Sequence, residues 1–274
     1  MIGFVGLSHL GTVTGISIAS RGFEVLAYDP HPDIVRDLAA GKPRVHEPEL
    51  PELLQQALSQ KRIQFTSNPK DLLVCDLVYF ALDVKTDDHN VSDLRPLSEL
   101  IEKTTPFLSP EATVVVLSQV PPGFSRKLGS SLKRTLFYQV ETLIFGRAVE
   151  RALRPERYII GSANPEAPLP ATFMRLLEAF DCPILNMRYE SAELAKISIN
   201  LCLVSSIAVA NTLAEICENI GAEWNEIVGA LKLDKRIGQY SYLAPGLGIA
   251  GGNLERDLIA VCTLAQEHGT DAGV

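Results

Sequence analysis

The sequence predicts an α/β protein: an N-terminal Rossmann-like doubly wound parallel sheet, followed by a smaller all-helical domain built on one long helix. Three observations carry this prediction. Short apolar runs alternate with helical stretches over residues 1–188, the order that builds a parallel sheet covered by helices. The first run leads into a glycine turn and the second ends at an acidic residue, as a dinucleotide fold requires. Residues 191–221 hold no proline and no internal glycine, so one helix of about 31 residues, about 45 Å long, can run unbroken. The domain change is expected near Tyr189, giving residues 1–188 and 189–274.

Taken in order, Ile2 to Val5 is a strand entering Gly6-Leu7-Ser8-His9-Leu10-Gly11, and an apolar helix follows. A second strand, Glu24 to Tyr28, ends at Asp29. Gly6 allows the tight turn, Gly11 the close helix–strand packing, and the helix N-terminus at Ser8, His9 and Leu10 offers amides to a pyrophosphate. Asp29 accepts from ribose hydroxyls and repels a 2′-phosphate, which favours NAD over NADP. Ser8 stands where the middle glycine is expected, and its side chain crowds the pyrophosphate position. Pro32 to Ala40 and Leu50 to Gln60 read as helices, Asp76 to Leu82 as a buried strand, and Val91 to Leu108 contains a helix. Ala112 to Ser118 is a further strand, stopped by Pro121-Pro122-Gly123. Thr135 to Val140, Arg157 to Gly161 and Pro183 to Asn186 read as three more.

Ser191, flanked by Glu190 and Glu193, opens the long helix, and Gly221 stops it. From Ile197 to Cys217 it is apolar nearly all round, the mark of a helix buried on most sides. A small domain cannot cover that surface alone, so a homodimer packed across the helix is expected. Lys196 and Asn200 lie i and i+4, on one face. The plain reading is a snorkelling lysine and a self-satisfied amide; the sharper one is a pair aimed at a substrate. Trp224 to Leu231 is another helix. Five of the eight residues from Pro245 to Gly252 are proline or glycine, either a flexible turn or a loop whose backbone approaches a ligand, with Asp257 just beyond it.

Composition narrows the function class. A net charge of −8 argues against a nucleic-acid partner. Five scattered cysteines, odd in number and without a Cys-x-x-Cys pair, read as reduced thiols and not as a disulfide frame or metal site. No basic segment precedes the first strand, so no leader is expected. Asn200, Ser205, Ser206 and Asn211 make the long helix a buried soluble one, with no membrane partner, and a cytoplasmic location follows.

Together these segments resemble the UDP-glucose/GDP-mannose dehydrogenase family. The resemblance rests on the glycine turn, Asp29, Glu47-Pro48, Val120-Pro121-Pro122-Gly123, Glu141 with Gly146, and Ala192-Glu193-Leu194-Ala195-Lys196. Asp234-x-Arg236-Ile237-Gly238 and the glycine-rich loop ending at Asp257 complete it, in family order along the chain. It implies NAD as cofactor, with Ser118 and Gln119 beside it, and a nucleotide sugar oxidised by hydride transfer. It assigns Lys196 and Asn200 to the alkoxide and oxyanion, Asp257 to proton relay and water, and Glu141 to acid–base work. It assigns Arg236, Gly248, Gly251 and Gly252 to the substrate, Arg236 reaching a neighbouring subunit. Departures matter as much. The family's nucleophilic cysteine is replaced by Asn253, or by Leu254 in the other alignment; Gln119 replaces a threonine, Phe145 a glutamate, and Val84-Lys85 a Thr-Pro pair. The chain also ends at Val274, where the family continues into a C-terminal domain. Three readings follow: a dehydrogenase limited to non-covalent hydride transfer, a catalytically silent homologue that binds a nucleotide or a pathway partner, and an enzyme like the β-hydroxyacid dehydrogenases.

Overall fold

A computed structural model describes residues 1–87, 91–246 and 252–272. It divides into two compact units. The first comprises residues 1–85 and 93–194, the second residues 86–92 and 195–274.

The first unit is one eight-stranded sheet with helices. Its strands are β1 (Ile2–Val5), β2 (Val25–Tyr28), β3 (Ile63–Thr66), β4 (Leu77–Phe80), β5 (Thr113–Val116), β6 (Leu136–Gln139), β7 (Tyr158–Ser162) and β8 (Ile184–Arg188). The strand order is β3-β2-β1-β4-β5-β6-β7-β8. The chain switches direction across the sheet at β1 and β4, the place where ligands bind in open α/β sheets. Strands β1, β2, β4, β5 and β6 are buried at every position, which is why they read as unbroken apolar runs. Helices α1 (His9–Ser20), α2 (Pro32–Ala39), α3 (Leu50–Ser59), α4 (Arg95–Thr104), α5 (Phe124–Leu132), α6 (Ala148–Leu153) and α7 (Ala171–Glu178) complete the unit. Phe4, Ile16, Tyr79 and Phe173 form the centre of its core, with Phe4 and Tyr79 stacked at 5.0 Å.

One pairing departs from the all-parallel expectation: β6 and β7 run antiparallel. Their connection carries only the six-residue α6, which packs against α1, and a reversal needs no full crossover. A buried apolar run does not encode its direction, so the sequence could not show the reversal.

The second unit is built on α8 (Tyr189–Ile220), α9 (Trp224–Leu233) and α10 (Gly252–Glu267). Helix α8 has 32 residues and follows β8 without a linker; its residues 189–194 belong to the first unit. Gly221, at φ +77°, ends it. Among the described residues of the second unit, Ala210, Cys217, Trp224 and Leu243 form a buried cluster, with the Trp224 indole N–H donating to the Leu243 carbonyl at 2.9 Å. The expectation that α8 is buried on most sides does not hold in the single chain. Its most apolar window is 11% buried, because three helices do not surround it. By length and composition alone this helix could cross a membrane. All five thiols are free; Cys75 and Cys217 are buried, Cys202 and Cys262 exposed.

Candidate active site

The C-terminal edge of the first unit's sheet holds the predicted cofactor turn. Gly6 takes φ +93°, and its N–H bonds the Tyr28 carbonyl at 2.9 Å. A Cβ on Gly11 would lie 1.9 Å from the Gly6 oxygen and 2.9 Å from the Ala81 oxygen, so only glycine fits where α1 crosses the turn. Ser8 precedes α1 but its hydroxyl does not cap the helix. Instead it donates to the Ala81 carbonyl at 3.3 Å and accepts from the Asp83 N–H at 2.8 Å. That leaves the first amides of α1, at Ser8, His9, Leu10 and Gly11, without an intrahelical partner, in a first turn with no acidic residue. Those donors suit an anion such as a pyrophosphate.

Asp29 is buried and accepts the Leu7 N–H at 2.8 Å on Oδ2, while His31 bonds Oδ1. Ser118 is also buried; its hydroxyl accepts the Leu82 N–H at 2.9 Å and is committed between β4 and β5. Gln119 follows it, half-buried.

Two buried glutamates, Glu47 and Glu193, hold loops together, a role the sequence does not show. The Glu47 carboxylate meets His9 Nε2 at 2.8 Å, the Gly146 N–H at 3.1 Å and the Ala148 N–H at 3.0 Å. Burial alone would raise its carboxyl, but the bonds from His9, Ala148 and Gly146 outweigh it and hold it below the ordinary glutamate value. The His9 ring packs on Phe145 at 4.5 Å. Glu193, in the first turns of α8, accepts the Gly123 N–H at 2.6 Å and the Ser125 N–H at 2.8 Å, capping α5. Burial pushes its carboxyl up, and those amides only partly offset the shift. Nearby, Arg126 grips Glu190 at 2.7 and 3.0 Å, and this pairing brings the Glu190 carboxyl down to about 2. Glu141, at the C-terminal end of β6, accepts the N–H of Leu143 and is half-buried.

In the second unit the structure brings Asn200 and Asp257 together: the Asn200 amide donates to Asp257 Oδ2 at 2.5 Å. Arg256 holds the other carboxylate oxygen at 3.2 Å, and both Arg256 and Asp257 are buried. Lys196 lies one turn before Asn200 on α8, half-buried. Asn211 clasps Gly246, accepting its N–H at 2.8 Å and donating to its carbonyl at 3.0 Å. Arg236 is exposed and bidentate with Asp234. Gly252 and Asn253 lie in the first turn of α10; Gly248 and Gly251 lie outside the described residues. Among the described residues no group of histidine, cysteine and carboxylate side chains could hold a metal.

Residues 1–181 match the NAD binding domain, and residues 190–274 the central domain, of the UDP-glucose/GDP-mannose dehydrogenase family. The chain belongs to that family. A UDP-glucose 6-dehydrogenase of Rickettsia typhi is 29% identical over 281 residues, covering 100% of this chain and 64% of that protein. Another, from Bacillus subtilis, is 27% identical over 277 residues, covering 98% of this chain and 59% of that protein. The structure of a UDP-glucose dehydrogenase from the hyperthermophilic archaeon Pyrobaculum islandicum matches with a TM-score of 0.86 at 29% identity, over 98% of this chain and 64% of that one. The chain spans about three-fifths of the length of these relatives.

This UDP-glucose/GDP-mannose dehydrogenase family member therefore carries the family's NAD binding domain, and its residues fit the cofactor. The turn is free of side chains where α1 crosses it, and the helix amides are not spent on Ser8. The geometry also explains why the family motifs occur together. Glu47-Pro48 and the Gly146 loop are hydrogen-bond partners, as are Glu193 and the turn at Gly123.

Proposed function

We propose that this chain is an NAD-dependent oxidoreductase of the nucleotide-sugar dehydrogenase type, limited to one non-covalent hydride transfer between an alcohol and a carbonyl. The observation that carries the reading is the Asn200–Asp257 hydrogen bond, which joins two expected site residues from α8 and α10. NAD, when bound, would serve as hydride acceptor; the α1 amides would hold its pyrophosphate and Asp29 its adenosine ribose, with Ser118 and Gln119 alongside. Lys196 stabilises the alkoxide as it forms, since a fixed cation near developing negative charge lowers the barrier most where water is excluded. Asn200 donates to the same oxygen, held in place by Asp257. Asp257 passes the released proton to water, and Glu141 completes the acid–base set. Arg236 and the backbone at Gly248, Gly251 and Gly252 bind the nucleotide sugar. Asn253 stands at the thiol position, and a neutral amide cannot form the covalent intermediate that a second oxidation needs.

The test counts NADH against sugar consumed over a panel of UDP- and GDP-sugars. One NADH per sugar, with an aldehyde or ketone product, supports the reading; two NADH with an acid product overturns it. A second reading, a silent homologue that binds nucleotide or a pathway partner, is favoured by Asp257 having both oxygens engaged. NAD binding without turnover of any sugar in the panel would select it.

The assembly belongs to the same proposal. Val209, Leu213, Ile216 and Ile220 are exposed at heptad-like spacing along α8. A homodimer packed across this stripe would cover it, in a cytoplasmic protein with neither a membrane nor a nucleic-acid partner.

A further inference from the structure

The Asp29 carboxylate is nearly full before any cofactor arrives. Its side chain is 5% exposed. Oδ2 accepts the Leu7 N–H at 2.8 Å; Oδ1 accepts both the His31 N–H at 3.0 Å and His31 Nδ1–H at 2.8 Å. An ionised carboxylate has about four lone-pair sites, so three donors leave one. Two neighbouring ribose hydroxyls need two, and one present donor has to leave.

The three donors are not equally free to go. Leu7 N–H belongs to the buried glycine turn, and His31 N–H is fixed by the backbone entering Pro32 and α2. The His31 imidazole is 69% exposed. Its side chain makes no capping bond to α2, so its departure leaves that helix intact. Water then solvates the released ring at little cost, whereas either amide would lose its partner inside the fold.

We infer that His31 is a positioning residue that competes with the adenosine ribose for Asp29: the imidazole occupies the carboxylate in the free protein and is displaced when the dinucleotide binds. The pair keeps the buried carboxylate satisfied while the site is empty and lowers cofactor affinity by the bond that must be broken. This inference rests on the NAD reading above.

The test is calorimetric titration of the whole chain and of His31→Ala with NAD, ADP and nicotinamide mononucleotide. His31→Ala is expected to bind NAD and ADP about fivefold tighter, the effect of one exposed hydrogen bond. Nicotinamide mononucleotide, which lacks the adenosine ribose, is expected to bind both proteins alike. Histidine-selective ¹⁵N spectra supply a second readout: NAD should shift the His31 Nδ1 signal to that of a solvated ring. NAD affinity that is unchanged or weaker in His31→Ala overturns the inference alone, as does a His31 Nδ1–H that stays bonded in the NAD complex. No NAD binding by either protein overturns the cofactor reading and this inference with it.

Discussion

The two units bury apolar surface by opposite means. In the first, five strands are buried along their whole length, and the polar groups at the sheet edge bond one another: Glu47 to His9, Gly146 and Ala148, and Ser118 to Leu82. In the second, Ala210, Cys217, Trp224 and Leu243 form a buried cluster among the described residues. Along α8, Val209 is 53% exposed and Ile220 is 70%. A sheet covered by helices on both faces closes its own core, whereas a long helix with two shorter ones does not. The first unit closes its own core, and in the proposed homodimer a second copy would cover what the second unit leaves exposed.

Substitutions that read the unfolding of the first unit can break this comparison. The largest effect is expected from Gly11→Ala, because the new Cβ would sit 1.9 Å from the Gly6 carbonyl oxygen and backbone cannot yield as a side chain can. A loss above about 3 kcal/mol in urea unfolding is expected, and a wild-type midpoint would show the turn to be loose. Glu47→Gln comes next. An amide cannot accept from all three donors, and one buried N–H left unpaired gives a loss of about 2 kcal/mol by the same measurement.

Glu190→Gln is smaller still. Both partners of the Arg126 pair are close to half exposed, so under about 1 kcal/mol is expected at neutral pH. The pairing with Arg126 depresses the folded-state carboxyl to about 2. Its stabilisation is therefore complete above the ordinary glutamate value and lost as pH falls towards 2. Unfolding midpoints of wild type and variant should converge over that window; a constant gap down to pH 2 would contradict the assignment. The least effect on the first unit is expected from Ile216→Asp, within about 0.5 kcal/mol. The same variant should turn a dimer into a monomer by light scattering. A wild-type protein already monomeric at micromolar concentration would remove the need for completion from outside.

Much of this architecture is legible in the sequence. The glycine turn, Asp29, the five buried strands of the first unit and the length of α8 follow from apolar runs and from where glycine and proline fall. What escapes are elements without a clear local pattern and contacts between residues far apart along the chain. Strand β3, Ile63–Thr66, lies at the sheet edge with partly exposed residues, so it lacks the apolar run that marks its neighbours. Helix α6 has six residues, too short for a periodic pattern, and α5 and α7 are not read from the sequence either. Glu47 and Glu193 reach amides about 100 and 70 residues away, and no local pattern encodes such a bond. Asn200 and Asp257 are each singled out in the sequence, but their contact is not legible there.

The distribution of thiols gives the protein a built-in chemical reporter. Cys75 is enclosed, and burial pushes its thiol up to about 11, so a maleimide at neutral pH passes it by. The exposed thiols, Cys202 and Cys262, both lie in the second unit. Cys202 shares the heptad position of Val209 and Ile216, on the stripe that a second copy would shield. Alkylation at Cys202 relative to Cys262, followed by peptide mass spectrometry, turns the assembly of an unmodified chain into a ratio of two labelled peptides.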